Sequence, residues 1–456
     1  TKLVSAKRAV ALPPGVAAAT TVNVAASAAV LLLNAALGAV GGALTYPAED
    51  AKRTSNLKDV LALIEEMKAG RVGCLLIHDS NPVFSLPAAA GFREALEQVD
   101  LVESFESLAA EPSEDASPRP GIRSLVQPTI RPLFDTQALG DTLLGIARAM
   151  GGDTAAAVPA GSWKSVLESN WSDTSWRQAL ARGGEFGTVS RRPVEVVATA
   201  DRVAPKAPQL AGPGEFTVVA YPHSYWYDGR GAALPWLQEI PDPVTKLSWN
   251  SWAEISDVRA KALGLSYGDV IRIETETGSL EVSVYPRGGI REDVVALPIG
   301  QGHTVGHYAS MAGDGQPGVA RGANVASILP AALDESGSQA FLATKATVSA
   351  TGGFRRLALS QWTDNQRKRG LAPEVSLYAL AKGRAGMAHF DAGAAHAAES
   401  AGGGEHGEGG GGHHFEGPPF EFDRADDADP DQPYRWGMTI DNDRCTGCSA
   451  CVAACY

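Results

Sequence analysis

Cys445, Cys448, Cys451 and Cys455 fall in the spacing C-x2-C-x2-C-x3-C within DNDRCTGCSACVAACY, and they are four of the chain's five cysteines. Thiolate sulfur is the soft donor that holds cubane iron–sulfur clusters, and two-residue gaps let one tight loop present three sulfurs to one cluster. Gly447, Ser449 and Ala450 are small enough to let the backbone approach. A structural zinc site is the rival, but it normally joins two separated C-x2-C pairs or mixes cysteine with histidine. In the two-cluster arrangement the fourth cysteine belongs to the other cluster. Cys445, Cys448 and Cys451 are therefore expected on one 4Fe-4S centre and Cys455 on a second. The run alone completes neither, so the chain is expected to continue past Tyr456.

Other stretches carry weaker chemistry. GQGHTVG, from Gly300 to Gly306, follows a strand-like run, but its last gap is one residue too long for a dinucleotide loop, and a nicotinamide site is discounted. His303 and His307 within and beside it read as polar loop histidines. His396, His406, His413 and His414 are surrounded by glycine, which leaves nothing to fix a metal geometry, so they read as linker. There is no P-loop, H-E-x-x-H or G-x-S-x-G, and no side chain is identified as catalytic.

The 456 residues are enough for two or more cores. With 39 Lys plus Arg against 52 Asp plus Glu, the net charge of −13 provides no broad cationic surface for nucleic acid. Cys74 stands alone in an apolar run, so no spaced disulfide framework exists. Thr1 in place of methionine marks a processed or truncated start. Residues 24–44 are uncharged over a bilayer-spanning length. Asn34, the glycines and the many alanines nevertheless read as a segment buried inside a domain.

The elements that must position these groups show in the periodicity. Leu57, Val60, Leu61, Ile64 and Met67 recur every three or four residues between a capping Asn56 and a terminating Gly70, which predicts an amphipathic helix. VGCLLIH then reads as a strand stopped by an Asn81-Pro82 turn. A helical pattern over 90–99 leads to LVESF, and another covers 138–150. Helix and strand in alternation predict a parallel α/β sheet. Residues 111–120 read as an acidic loop, and the segment of Trp163, Trp171 and Trp176 has no clear assignment. Further on, FTVVAYP is a strand and 256–264 a capped helix. Alternation of Ile271, Ile273 and Thr275, then of Leu280, Val282 and Val284, predicts a hairpin turning at Thr277-Gly278. VVALPI is another strand, so this half is β-rich and barrel-like. Residues 383–434 are too Gly/His-rich to bury a core.

KLSWNSWAEISDVRAKALGLSYGDVIRIETETGSLEVSVYPRGGIREDVVALPIGQGH (246–303) resembles the dinucleotide-pterin-binding barrel of molybdopterin oxidoreductases. LIHDSNPVFSLP and GIRSLVQPTIRPLFDTQALGDTLLGIARAMG resemble the α/β domain that precedes it. RWGMTIDNDRCTGCSACVAACY is similar to the opening of multi-cluster ferredoxin-like subunits, with Tyr456 where that run has proline. The fused order resembles the large iron–sulfur subunit of bacterial alternative complex III. The resemblance implies a Rossmann-like α/β domain over 1–160, an unassigned connection over 161–213, a double-psi β-barrel-like domain over 214–382, a flexible linker over 383–434 and the start of a ferredoxin-like domain over 435–456. It also implies 4Fe-4S clusters on the four cysteines, a 3Fe-4S cluster with ligands outside this chain, and absence of molybdopterin. The implied partners are quinol-binding membrane subunits, haem c subunits and a terminal oxidase, in a hetero-oligomeric complex at the periplasmic face of the bacterial cytoplasmic membrane. Two other readings stand beside it: a molybdenum reductase or dehydrogenase of the polysulfide reductase or formate dehydrogenase type fused to its relay, and a scaffold with unoccupied cysteines.

Overall fold

The computed structural model describes residues 9–47, 55–105, 115–119, 121–127, 137–171, 176–197, 207–306, 308–310, 318–360, 439–441, 445 and 450–455. The 383–434 linker with its histidines, His307 and Cys448 lie outside the described residues. The chain divides into two units, Thr1–Asp242 with Leu247–Ala358, and Pro243–Lys246 with Leu359–Tyr456.

The first unit begins with α1 (Asn23–Ala36). Its segment was expected to be buried. Instead most of it is half-exposed, with Val24 and Leu33 open to solvent and the polar Asn34 buried. The reason is hydrogen bonding: Asn34 Oδ1 accepts from Ala11 N (2.8 Å) and its Nδ2 donates to Ala11 O (2.9 Å), so the amide goes inward and the apolar faces stay out. Among the described residues no helix is long and apolar enough to cross a membrane.

Helix α2 (Leu57–Lys68) forms as its periodicity predicts, opened by an Asn56–Asp59 capping box and followed by Gly70 at φ +66°. Ile64 and Met67 are fully buried against Phe92 and Ala95 of α4 (Phe92–Leu96). Each buried side chain of this size stabilises by about 1.5–3 kcal/mol. Strands β1 (Cys74–His78) and β2 (Leu101–Phe105) pair in parallel, Cys74 opposite Leu101. Cys74 is exposed. Asn81-Pro82 does not make a simple turn: Asn81 Oδ1 accepts from Phe84 N and starts the short helix α3 (Pro82–Ser85).

Half of the expected acidic loop is a strand. β3 (Asp115–Arg119), β4 (Ile122–Leu125) and β5 (Gly184–Phe186) form an antiparallel sheet. The helix expected over 138–150 forms as α5 (Leu139–Met150), and the tryptophan segment supplies α6 (Trp163–Asn170) and α7 (Trp176–Arg182), with Trp171 buried beneath the Arg123 guanidinium.

A closed six-stranded barrel follows: β6 (Phe216–Pro222), β7 (Trp252–Ser256), β8 (Asp269–Glu274), β9 (Ser279–Arg287), β10 (Val294–Ile299) and β11 (Lys345–Phe354), in the order β7-β9-β8-β11-β6-β10. The β7–β9 and β6–β10 pairs are parallel and the other four antiparallel. Alternate residues fill the interior, among them Val218, Ala220, Ile255, Ile271, Ile273, Leu280, Val282, Val284 and Leu297. The β8–β9 turn sits one residue earlier than expected, at Glu276-Thr277, because Thr275 N bonds Gly278 O (2.9 Å). Gly278 is needed for another reason: a Cβ there would lie 2.7 Å from Ser327 O. Helix α9 (Asp257–Ala262) leads to Gly264 at φ +69°, although Ser256 makes no side-chain cap.

The loop after the 325–328 turn reaches back to the chain's beginning. Glu335 Oε2 accepts from Val24 N at the start of α1 (3.0 Å). Ser336 O accepts from Asn56 Nδ2 (2.8 Å) and Gly337 O from Lys58 N (3.0 Å) at the start of α2.

Candidate functional site

Because β6 and β10 are parallel neighbours with Pro222 opposite Ile299, the segments after them emerge side by side. One begins at His223 and the other at Gly300. Gly300 (φ +123°) and Gly302 (φ +107°) take conformations that L side chains rarely adopt, and a Cβ on Gly302 would lie 2.1 Å from Asn324 N. Gly302 N donates to Arg321 O (3.1 Å). Between the two glycines, Gln301 is buried.

His303 stacks on Phe84 of α3, with ring centroids 3.6 Å apart and planes at 10°. Gly229 packs against the same two rings, so close that a Cβ there would lie 2.5 Å from Phe84 and 2.8 Å from His303 Nε2. Nε2 is buried, and the imidazole faces the backbone of Gly229 and Gly300. Burial pushes the imidazole below its ordinary value. Asn324 Nδ2 donates to Phe84 O (3.0 Å), which ties α3 to the barrel loops. Arg321 lies over the Trp249 ring at 5.0 Å, and its Nε is buried with no partner among the described residues.

Three residues around these loops hold the left-handed backbone without being glycine: Asp79 (φ 47°) just after β1, Tyr227 (φ 52°) and Trp249 (φ 69°). Each costs about 1–3 kcal/mol, and such strain gathers at sites that use it. Asp228 grips Arg230 through two hydrogen bonds (2.9 and 2.8 Å), which holds the carboxyl below its usual range.

Outside the barrel wall lies a second polar group. The Glu254 carboxylate accepts from Tyr221 Oη (2.5 Å), Trp252 Nε1 (3.2 Å) and Arg287 Nη1 (2.7 Å). Burial and the neighbouring Glu254 push the Tyr221 phenol far up, so it remains a donor. His223 stacks on Trp226 at 3.7 Å, its Nδ1 accepts from Tyr225 N and Trp226 N, and its Nε2 lies 3.9 Å from Asp242 Oδ2. Burial pushes His223 down to about 4, against the opposing pull of Asp242.

The lowered value has a consequence for stability. Between the ordinary 6.5 and about 4, only the unfolded chain takes up the proton. Stability is therefore full above pH 6.5 and falls as pH drops toward 4. Urea unfolding at pH 7.5 and 4.5 is expected to show about 2–3 kcal/mol more acid loss in the wild type than in His223→Asn, whose amide oxygen can replace Nδ1 as acceptor. Equal losses would show that His223 is not the group responsible.

Of the expected metal ligands, Cys445 is an exposed free thiol, Cys451 is a half-buried free thiol, and Cys455 ends the helix Ala450–Cys455. Among the described residues no group of three or more His, Cys, Asp or Glu is gathered for a metal ion. His303, expected as a polar loop histidine, lies in the loop after β10 and stacks there on Phe84. Sequence reasoning missed His223, Gln238, Trp249, Glu254, Arg321 and Asn324. The available signal was the glycine pair with a following histidine at a strand end.

Residues 238–344 match the family model of the Molydopterin dinucleotide binding domain. The chain is 25% identical over 264 residues to the menaquinone reductase molybdopterin-binding-like subunit of Nitratidesulfovibrio vulgaris, covering 52% of this chain and 37% of that protein. It is 40% identical over 109 residues to the arsenate respiratory reductase molybdopterin-containing subunit of Chrysiogenes arsenatis, covering 24% of this chain and 13% of that protein. Acetylene hydratase from Pelobacter acetylenicus superposes with a TM-score of 0.49 at 15% identity, covering 65% of this chain and 46% of that one. The chain thus spans less than half the length of these relatives. The expectation that molybdopterin is absent is overturned by the family match, which falls on the barrel and its glycine loop, and by the molybdopterin relatives. The stretch from 238 to 344 is a molybdopterin-oxidoreductase-like region.

Proposed function

We propose that this chain is an electron-transferring subunit of a membrane-associated respiratory oxidoreductase. In this reading the barrel loops hold a pterin dinucleotide cofactor and the closing cysteine run holds iron–sulfur clusters. The observation that carries it is that the dinucleotide-binding match contains the 300–303 loop, beside which the Arg321 Nε donor is buried with no partner among the described residues. The residues fit such a group. Arg321 Nε is buried with no partner among the described residues, and Gly302 and Gly229 bring backbone where no Cβ could stand. Arg321 would meet the anionic part of the cofactor, and His303 would offer a neutral imidazole held in orientation by Phe84. When bound, the molybdenum centre supplies oxidation and reduction of the substrate.

Cys445, Cys448, Cys451 and Cys455 have the donor chemistry of cluster ligands, and their task would be relay of one electron at a time. Two versions of the reading differ in direction. In the first, favoured by the dinucleotide-binding match, the chain is part of a molybdenum-dependent respiratory reductase or dehydrogenase. In the second, supported by likeness to the menaquinone reductase subunit, it relays electrons for a quinone-reactive complex of the alternative complex III kind, with haem c partners at the periplasmic face.

Metal and pterin analysis of the purified complex tests the proposal. Molybdenum and pterin in stoichiometric amount together with iron are expected, and their absence would remove the cofactor site and with it the first version. Cys448→Ser is expected to abolish or shift at least one iron–sulfur EPR signal. Unchanged spectra would remove the relay role from this run.

A further inference from the structure

We infer that Gln238 is a positioning residue that sets the 300–303 loop for cofactor retention. The inference rests on the proposed pterin site. Gln238 lies on the short helix α8 (Pro235–Glu239), which the cysteine run and the glycine motif do not bring to attention, yet its side chain is fully buried. A buried primary amide must find partners for two donors and an acceptor. Gln238 finds them largely in a second amide. Its Oε1 accepts from Gln301 Nε2 (2.6 Å), and its Nε2 donates to Ala232 O (2.7 Å) and, more weakly, to Gln301 Oε1 (3.4 Å). Gln301 Nε2 also donates to Trp249 O (2.8 Å), and Trp249 N donates back to Gln238 O (3.2 Å). The three residues close a ring of hydrogen bonds.

This ring touches both halves of the candidate site. Gln301 stands between Gly300 and Gly302, which have no side chains to anchor the loop, so its amide is the side-chain tether at that point. On the other side the ring holds Trp249, whose indole carries the Arg321 guanidinium, and the Arg321 carbonyl in turn accepts from Gly302 N. Gln238 therefore fixes at once the loop that presents His303 and the platform under Arg321. Its side chain is tied within this ring and to Ala232, so its role is orientation, exerted through Gln301 and Trp249.

The test compares full-length wild type, Gln238→Leu, Gln301→Leu, the double variant, and Leu167→Ala. The last is a buried position on α6 chosen to destabilise without touching the ring. Two quantities are read: pterin per protein, as fluorescence after oxidative release, and hydrogen exchange of the amides of residues 300–303. Both single leucine variants are expected to retain at most a tenth of the wild-type pterin and to exchange Gly302 N–H at least tenfold faster. The double variant should be no worse than either single, because the two amides act as one unit. Leu167→Ala should keep its pterin at an equal or greater loss of thermal stability. If Gln238→Leu keeps full pterin, or loses it only in proportion to Leu167→Ala, the positioning role is overturned. If the wild type holds no pterin, the proposed site fails. Exchange at 300–303 then decides whether Gln238 orders the loop, and unchanged exchange overturns that as well.

Discussion

Arg287→Met is expected to cost about 3 kcal/mol of unfolding free energy at pH 7, more than most single substitutions on the barrel surface. The figure does not come from the strength of the ion pair. Arg287 is 40% exposed, and a partly exposed pair is worth little in itself. It comes from what remains: the Glu254 side chain is 5% exposed and would be left as a buried anion with only the Tyr221 hydroxyl and the Trp252 indole as donors. Glu254→Gln should cost less, about 1–3 kcal/mol, since an amide oxygen still accepts from Tyr221 and Arg287 can turn to water. The double variant Arg287→Met with Glu254→Gln should recover part of the Arg287→Met loss. Urea unfolding of the three variants checks this ordering. A loss below 1 kcal/mol for Arg287→Met would mean that the carboxylate reaches water.

Gly302→Ala is expected to lose about 3–5 kcal/mol, combining the strain of an alanine at φ +107° with a Cβ driven against Asn324 N. The neighbouring atom is backbone and belongs to the turn that anchors Phe84, so it cannot swing aside as a flexible side chain would. Gly289→Ala is the control. It also sits at positive φ (+85°), but no atom lies within 4 Å of its added Cβ, so it should lose only about 1 kcal/mol. Thermal unfolding of both variants separates conformational strain from collision. Equal losses would show that the close approach at Gly302 relaxes without cost. Because the loop is the proposed cofactor cradle, Gly302→Ala should also lose bound pterin where Gly289→Ala keeps it.

The elements that carry their own periodicity were legible in the sequence. Helix α2 and the β8 and β9 faces form where spacing and capping require, because one buried stripe or face suffices to define each of them. What the sequence withheld depends on partners far along the chain. Residues 24–44 read as buried because composition alone reports hydropathy, whereas Asn34 turns inward to satisfy its amide on Ala11. Gly278 read as a turn residue, yet its place is dictated by the Ser327 carbonyl far along the chain. Glu254 alternates correctly for an outward strand position and gave no sign of being covered; Tyr221 and Arg287, from two other strands, close over it together with Trp252. The 300–303 loop failed a dinucleotide pattern built for helix-borne phosphate sites. Its glycines serve a barrel edge, where the constraint is backbone against backbone.

The loop over residues 334–338 also sets an order in time. It supplies the acceptor for the first turn of α1 across 311 residues and for the cap of α2 across 280. At about 5–20 residues per second, a ribosome needs about 15–60 s to make the stretch between Val24 and Glu335. For that interval Val24 N lacks its Glu335 acceptor and Lys58 N its Gly337 acceptor, while the Asn56–Asp59 capping box of α2 needs no distant partner. The apolar side of α1 stays half-exposed in the finished fold, so what the late loop completes is hydrogen bonding at the helix starts, just before the last strand of the barrel is made.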